Sequence, residues 1–294
     1  NIFGEYRVRC YLSKVWSLRE AFYIKAKLML SELSQSTGLT TVLQPLVETL
    51  KAGLDDKIAQ IFFTCLSVIE ELLPELAAEQ MSKAQVAPVF EGIISRLLLK
   101  LGDGQVRIRD SSVQTLLAIA ASPVVGSYAV NVQAARAMPA KQKNAWRPIV
   151  SRLKLLQSLV EAHHVGGQSG LTTDSVMDFV KTCNGFAHSN GEVRDAARDL
   201  TVALYKVVGE DVTRHLSSLR PKQREEYQDA FRTAGEGRST RGAAPKAVAA
   251  PPQHQSKQQS RRNEAHSPPK PDSRPGSKRD TRSPDKVENH DLFV

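Results

Sequence analysis

The sequence has few of the residues that build catalytic, metal or redox sites. It holds only three cysteines, Cys10, Cys65 and Cys183, and no pair of them has the spacing of zinc ligands. Each lies among apolar helical positions, so we expect small buried side chains in a reducing compartment. No nucleophile elbow, His-Glu-x-x-His motif or phosphate-binding loop is present. The sequence therefore predicts no enzyme, no metal ion and no cofactor.

Long apolar runs are also missing. The richest one, from Ile93 to Leu101, is interrupted by Arg96 and Lys100. No window of about 18 apolar residues exists, which a membrane-spanning helix would need. The amino terminus lacks the layout of a signal peptide. We therefore expect a cytoplasmic chain without a membrane partner.

Charge and proline are unevenly distributed. The net charge is +9, and residues 235–294 carry twelve Lys or Arg against seven Asp or Glu, which is +5 of that total. Eight of the fifteen prolines lie between Pro245 and Pro284, and almost no aliphatic residue lies between Ala250 and Lys286, so this segment cannot bury enough surface to fold alone. The sequence predicts a folded domain over residues 1–234 and a disordered basic tail or linker over 235–294. Because no aromatic residue alternates with the bases of this tail, base stacking has no platform and nucleic acid is disfavoured.

The folded part begins with a lone tryptophan followed by an amphipathic run. Ser17 and Glu20 have the spacing of a capping box, which predicts that Trp16 lies just before a helix. The apolar residues that follow fall on one helical face: Leu18, Ala21, Ile24 and Leu28. Trp16 is either a lid on the local core or an exposed anchor for a partner.

The same arrangement of polar turn and apolar stripe recurs along the chain. Leu18-Arg19, Val106-Arg107 and Val193-Arg194 lie about 88 residues apart with one further unit between them, a period of about 44 residues. Two helices per unit at this period are typical of the HEAT and armadillo repeats. The sequence therefore predicts an all-α fold, an α-solenoid of about six HEAT-like helix pairs. The glycines at 166, 167 and 170 lack the strand and lysine of a phosphate loop, so we interpret them as an inter-repeat linker.

In such an array the turns within the repeats lie along one edge. We expect that edge to carry an aromatic residue and several bases, which is typical of a protein-binding surface. Lys141 and Lys143 have no internal partner and are favoured as contact residues. Arg107 and Arg194 have an alternative structural role, in which Asp110 and Asp195 pair with them between neighbouring repeats.

These turns, and above all the stretch from Phe3-Gly4-Glu5 to Lys14-Val15-Trp16-Ser17-Leu18-Arg19-Glu20-Ala21 and Leu101-Gly102-Asp103-Gly104, resemble the TOG domain family. Within that family the likeness is greatest to the type carried by a centrosomal protein of ciliary tips. The resemblance covers residues 1–234. It implies an array of about six HEAT repeats whose turn edge grips the αβ-tubulin heterodimer, at microtubule ends of the cytoskeleton, the centriole or the ciliary tip.

The resemblance also implies roles for individual residues. Trp16 would pack on β-tubulin from the first turn, and the other turns would add polar and charged contacts. Those contacts would come from Lys57, Gly104, Gln105, Arg107, Lys141, Lys143, Asn144, Arg147, Asn190 and Arg194. The acidic pair Asp55-Asp56 beside Lys57 departs from what an acidic partner such as tubulin would favour.

Two functions stay open on the sequence. In the first, the chain is a non-catalytic tubulin-binding module, and its tail adds a contact to the microtubule lattice or another acidic surface. In the second, it is a generic α-solenoid adaptor whose basic tail binds an acidic partner or nucleic acid. A binding energy concentrated in Trp16 favours the first, and dependence on the tail alone favours the second.

Overall fold

A computed structural model describes residues 3–239 of the chain, and residues 1–2 and 240–294 lie outside the described part. The described residues belong to one compact unit, Asn1–Ala244. From residue 240 onward the predicted tail falls outside the described residues. Its disorder, and the domain boundary at residue 234, stay predictions.

Residues 3–239 form twelve α-helices and one 3₁₀ helix, and the only extended pairing among them is a single bridge between Gly166 and Leu171. The helices come in six successive pairs, and a short helix, α3 (Leu30–Thr37), links the first pair to the second. The first three pairs are α1 (Glu5–Tyr11) with α2 (Trp16–Leu28), α4 (Leu39–Leu54) with α5 (Ala59–Ala78), and α6 (Lys83–Lys100) with α7 (Val106–Ala121). The last three are α8 (Ser127–Ala134) with α9 (Trp146–His163), α10 (Thr173–Thr182) with α11 (Gly191–Val208), and the 3₁₀ helix (Gly209–Leu216) with α12 (Pro221–Ser239).

The pairs stack in two layers. The second helices α2, α5, α7, α9 and α11 pack against one another in chain order, and α4, α6 and α8 do the same in the other layer. One continuous apolar core lies between the layers. Each pair thus buries its apolar faces mainly against its neighbours, as in other repeat proteins. The predicted all-α solenoid of about six helix pairs is confirmed.

The apolar stripes predicted for interior helices are buried as expected. On α9, Ile149, Leu153, Leu156 and Val160 are fully buried, and α11 buries Val193, Ala197, Leu200 and Leu204 in the same way. The three cysteines are buried free thiols. Burial raises the pKa of Cys183 to about 11, which suits an unreactive core side chain.

The stripe predicted for the first long helix is wrong. Leu18, Ile24 and Leu28 are 40–71% exposed, and α2 instead buries Phe22 and Tyr23. The reason is position in the array: α1 is only seven residues long, and no helix pair lies on the far side of α2 among the described residues. The helical run that follows turn 1 also divides at residue 29, since α2 ends at Leu28 and α3 begins at Leu30.

Prolines and caps set several helix limits. Pro74 lies inside α5 and does not end it, because Leu72, Leu73 and Leu76 are buried on the same helix. The proline removes a hydrogen bond to the carbonyl of Glu70, which is exposed, so water can take the place of the missing donor. α6 begins at Lys83, since Ser82 forms a capping box with Gln85.

Candidate functional site

Five turns connect the helices within the first five pairs and lie at the start of each second-layer helix. We call them turns 1 to 5: residues 12–15, 55–58, 101–105, 135–145 and 183–190. Because the second-layer helices pack side by side and each begins at its turn, the turns line up along one side of the array, which we call the turn edge. Contacts between neighbouring turns support this alignment. Arg19 bonds to Asp56, Gln142 Nε2 donates to the Leu99 carbonyl at 2.9 Å, and Lys143 lines one cavity with Cys183.

Each turn except turn 4 is closed by a side chain that accepts from the backbone N–H two residues later. Ser13 Oγ accepts from Val15, Asp56 Oδ1 from Ile58, and Asp103 Oδ1 from Gln105, at 2.9–3.1 Å. In turn 5, His188 Nδ1 accepts from Asn190 at 3.0 Å. Such local bonds fix tight turns and occupy amides that the next helix leaves unpaired.

These bonds correct the prediction for the start of α2. The helix begins at Trp16, its N-cap is Val15, and no side chain caps it. The Ser17–Glu20 capping box is therefore absent. Instead, Ser13 closes the turn before the helix begins, by accepting from the Val15 amide. Asn144 does not cap α9, since Ala145 holds the N-cap position.

Three arginines, Arg19, Arg109 and Arg194, brace the turns from the first turn of the following helix. Each is the fourth residue of its helix and donates from one Nη1 to the carbonyls six and five residues earlier. The distances are 3.0 and 3.1 Å for Arg19, 2.7 and 3.1 Å for Arg109, and 2.6 and 3.1 Å for Arg194. Sequence reasoning missed the roles of Arg19 and Arg109. Each follows the polar residue that closes its turn, Ser13 or Asp103, by six positions, and this repeated spacing was a usable signal.

The two arginines with an alternative structural role have other partners than the aspartates considered. Arg194 holds turn 5, and Arg107 lies over the Phe63 ring, 4.3 Å from its centroid. Among the described residues, Asp110 and Asp195 form no ion pair with them. Both guanidinium groups are still exposed at the turn edge.

The acidic pair in turn 2 is neutralised by neighbouring arginines. Asp56 accepts from Arg19 Nε at 2.8 Å and from Nη2 at 3.1 Å, and Asp55 accepts from Arg96 Nε at 2.7 Å. Hydrogen bonding to Arg19 holds the pKa of Asp56 below its usual value. Lys57 is exposed and its ammonium has no ion pair among the described residues. Turn 2 therefore presents a positive charge in spite of its two carboxylates.

Turn 4 is the longest and most basic turn. Lys141, Lys143 and Asn144 are exposed, and neither lysine forms an ion pair within residues 3–239. The turn is anchored from below by the buried Arg152, whose Nη1 donates to the carbonyls of Gln133 and Ala134 at the end of α8. Burial lowers the pKa of Arg152 to about 10, so it stays charged near neutral pH.

Exposed apolar side chains concentrate at turn 1. Trp16 is 47% exposed, which favours the anchor over the lid, and Leu12 and Val15 beside it in the chain are also exposed. Leu12 and Val15 were missed by sequence reasoning. The second tryptophan, Trp146, holds the same first helical position in α9 but is half-buried, with the Arg147 guanidinium 4.7 Å from its ring centroid.

The remaining predicted site residues also lie at the turn edge. Gly104 and Gln105 are exposed in turn 3, and a side chain at position 104 would meet no neighbouring atom within 4 Å. Asn190 is half-buried, because its side chain caps α11 by accepting from the Glu192 amide at 2.8 Å. The structure thus brings all eleven predicted residues to one edge, which is apolar at turn 1 and basic at turns 2 and 4.

Comparison with known families identifies this architecture. The family model described as "Centrosomal protein CEP104, TOG domain" matches residues 1–200, which include all five turns. The chain belongs to this family. The predicted resemblance is confirmed over residues 1–200, and the described residues 201–239 lie beyond the matched region.

Solved structures share the fold. The TOG domain of human Cep104 has a TM-score of 0.66 and 22% sequence identity, covering 81% of this chain and 91% of that one. The Zyg9 TOG domain of C. elegans gives 0.62 and 15%, covering 79% and 82%. A structure concerning TOG-tubulin binding specificity in microtubule dynamics and mitotic spindle formation gives 0.61 and 14%, covering 76% and 80%. No curated protein sequence matched the chain.

Within residues 3–239, no helix is long and apolar enough to cross a membrane. The same residues contain no group of three or more His, Cys, Asp or Glu side chains that could hold a metal ion.

The bond between Arg19 and Asp56 makes a testable contribution to stability. Asp56→Asn should lower the free energy of unfolding by about 1–2 kcal/mol, because a charged and largely buried acceptor is lost. Its neighbour provides the control: Asp55→Asn breaks a more exposed pair and should cost about 0–1 kcal/mol. Urea denaturation of the full chain measures both. An equal loss for the two variants would contradict this account.

The same pair predicts the direction of a pH effect. Because the folded-state pKa of Asp56 is lowered, its contribution is complete above the pKa of the unfolded chain, about 4, and is lost as pH falls through the folded value. The stability gap between wild type and Asp56→Asn should therefore be largest near neutral pH and shrink in acid. A gap that grows in acid would contradict the assignment.

The two tryptophans should differ in solvent access. Trp146→Phe leaves only Trp16, whose fluorescence should be strongly quenched by acrylamide. Trp16→Phe leaves only the half-buried Trp146, which should emit at shorter wavelength and be quenched less. Equal quenching constants in two variants of unchanged helical circular dichroism would refute the exposed position of Trp16.

Proposed function

We propose that this TOG domain is a non-catalytic module that binds the αβ-tubulin heterodimer through its turn edge. The observation that carries the proposal is an exposed Trp16 at one end of an edge whose lysines have no ion pair among the described residues, in a chain of the CEP104 TOG family. A solved structure of the same fold concerns TOG-tubulin binding specificity, which supports tubulin as the partner.

Turn 1 supplies the apolar part of the contact. Trp16, Leu12 and Val15 together offer a small exposed apolar surface, and aromatic anchors often carry a large share of the binding energy of an interface. In the proposed complex Trp16 packs on β-tubulin. The braced turn holds the backbone next to the anchor in place before binding, so less conformational entropy is lost.

Turns 2 to 5 supply the polar part. Lys57, Lys141 and Lys143 form no ion pair within residues 3–239, so they can pair with tubulin carboxylates without breaking a bond to another described residue. Three exposed guanidinium groups directly after turns 3 to 5 complete the surface, those of Arg107, Arg147 and Arg194. They are joined by Gly104, Gln105 and Asn144, and Asn190 supports turn 5. A basic edge facing an acidic partner speeds encounter and makes binding sensitive to salt.

The wider role follows from the family. We propose that one array holds one heterodimer and supports microtubule-end regulation at the cytoskeleton, in the centriole or at the ciliary tip. The basic tail, over residues 235–294, is proposed to add a contact with the microtubule lattice or another acidic surface. Its charge of +5 is the supporting observation.

Size-exclusion chromatography of the full chain with purified tubulin at low salt tests the proposal. The wild type should co-elute with tubulin, and Trp16→Glu should weaken binding by about 2 kcal/mol or more, roughly thirtyfold. Tyr128→Glu is the matched control, since Tyr128 is an exposed aromatic residue on α8 away from the turns.

The outcomes separate the two functions. Equal retention of the two variants would refute the turn edge as the site. Binding lost only when residues 240–294 are removed would instead favour the adaptor whose tail binds an acidic partner.

A further inference from the structure

The exposed apolar surface of the described residues is concentrated at one end of the array. Ten large apolar side chains are exposed, and seven of them lie between residues 6 and 28. Three of the seven form the apolar part of turn 1. The other four lie on α1 and α2: Tyr6, Leu18, Ile24 and Leu28. The last described helix, α12, is by contrast polar.

Part of this apolar surface forms a groove between α1 and α2, with a volume of about 360 Å³. Its floor is made by the buried Cys10 and Phe22, and Phe22 is held by ring contacts with Phe3 and Tyr11 at 5.4 and 5.2 Å. The groove is lined by Tyr6, Arg7, Cys10, Leu18, Ala21, Phe22 and Lys25. Trp16 does not line it, so the groove is separate from the proposed tubulin contact.

The charged residues of the groove are both basic. Arg7 donates to the Phe3 carbonyl at 2.9 Å, and neither Arg7 nor Lys25 forms an ion pair with any described residue. An occupant with apolar side chains and carboxylates would therefore satisfy the whole lining. A second copy of the chain would instead bring the same two cations against them, which like-charge repulsion disfavours.

The shape of the exposed surface indicates the form of the occupant. Leu18, Ala21, Lys25 and Leu28 recur at helical spacing along α2, so the exposed stripe runs over about 15 Å of helix length. A helix laid beside α2 can cover such a stripe with side chains at every third or fourth position.

We propose that the groove between α1 and α2 binds an amphipathic helix of a partner protein that carries carboxylates beside its apolar stripe. Its apolar side chains fill the groove, and its carboxylates pair with Arg7 and Lys25. The proposal concerns a surface that tubulin binding through the turn edge leaves free, so it does not depend on that function.

Fluorescence anisotropy with the full chain and three labelled helical peptides tests the proposal. The peptides share an apolar stripe of Leu residues and differ only in the flanking positions, which are Glu, Gln or Lys. The Glu peptide should bind at least about tenfold more tightly than the Gln peptide, and the Lys peptide should bind most weakly.

Two variants and one control locate the binding. Lys25→Glu should lose the preference for the Glu peptide, and Ala21→Phe, which fills the groove without changing charge, should weaken its binding about tenfold or more. Lys154→Glu, an equal charge change at an exposed residue of α9, should leave binding unchanged. Helical circular dichroism checks that each variant is folded.

Three results would overturn the proposal. They are no saturable binding of the Glu peptide, equal affinity for all three peptides, or the same effect from Lys25→Glu and Lys154→Glu. Sedimentation equilibrium adds a fourth: a wild-type dimer that Ala21→Phe dissociates would identify a second copy as the occupant instead.

Discussion

The structure depends on one packing constraint, the side-by-side burial of the second helices of successive pairs. Val193, Leu200 and Leu204 on α11, like Ile149 and Leu153 on α9, are removed from water only because a neighbouring helix covers them. Stacking of this kind fixes the distance between one second-layer helix and the next. Since each of these helices starts directly after a turn, five turns far apart in the sequence are forced onto one edge. The site is therefore a consequence of how the core is buried.

The charge of the turn edge is set by which ionic groups are already paired. Asp55 and Asp56 are neutralised by Arg96 and Arg19, whereas Lys57 has no carboxylate among the described residues. The arginine braces at turns 3 and 5 use backbone carbonyls as acceptors, so they fix the turns without neutralising the guanidinium charge, whereas the brace at turn 1, Arg19, is also paired with Asp56. Residues 1–234 carry only +4 of the net charge. Even so, Lys57, Lys141 and Lys143 are exposed at the turns without an ion pair among the described residues.

Sequence reasoning predicted the fold where each helix has neighbours on both sides, because helical periodicity reports burial directly there. It failed on α2, since periodicity cannot tell whether a neighbour exists to cover Leu18 and Leu28. The predicted site residues all lie at the turn edge, as the repeat period implied. The partners considered for Arg107 and Arg194, Asp110 and Asp195, do not pair with them. Arg19 and Arg109 donate to backbone carbonyls six residues earlier in the chain. Sequence rules for helices consider side-chain pairs three or four residues apart, so they do not predict such bonds. The exposure of Leu12 and Val15 depends on where turn 1 ends and α2 begins. The predicted capping box at Ser17 put that helix start in the wrong place.

Zero-length carbodiimide cross-linking of the full chain with αβ-tubulin, followed by mass spectrometry, tests the central claim most directly. This reaction joins a lysine to a carboxylate only when the two are in contact. We expect cross-links to tubulin from Lys57, Lys141 and Lys143. We expect none from Lys83 or Lys154, which lie on α6 and α9 away from the turns. Cross-links from Lys83 and Lys154 with none from the turn-edge lysines would contradict it.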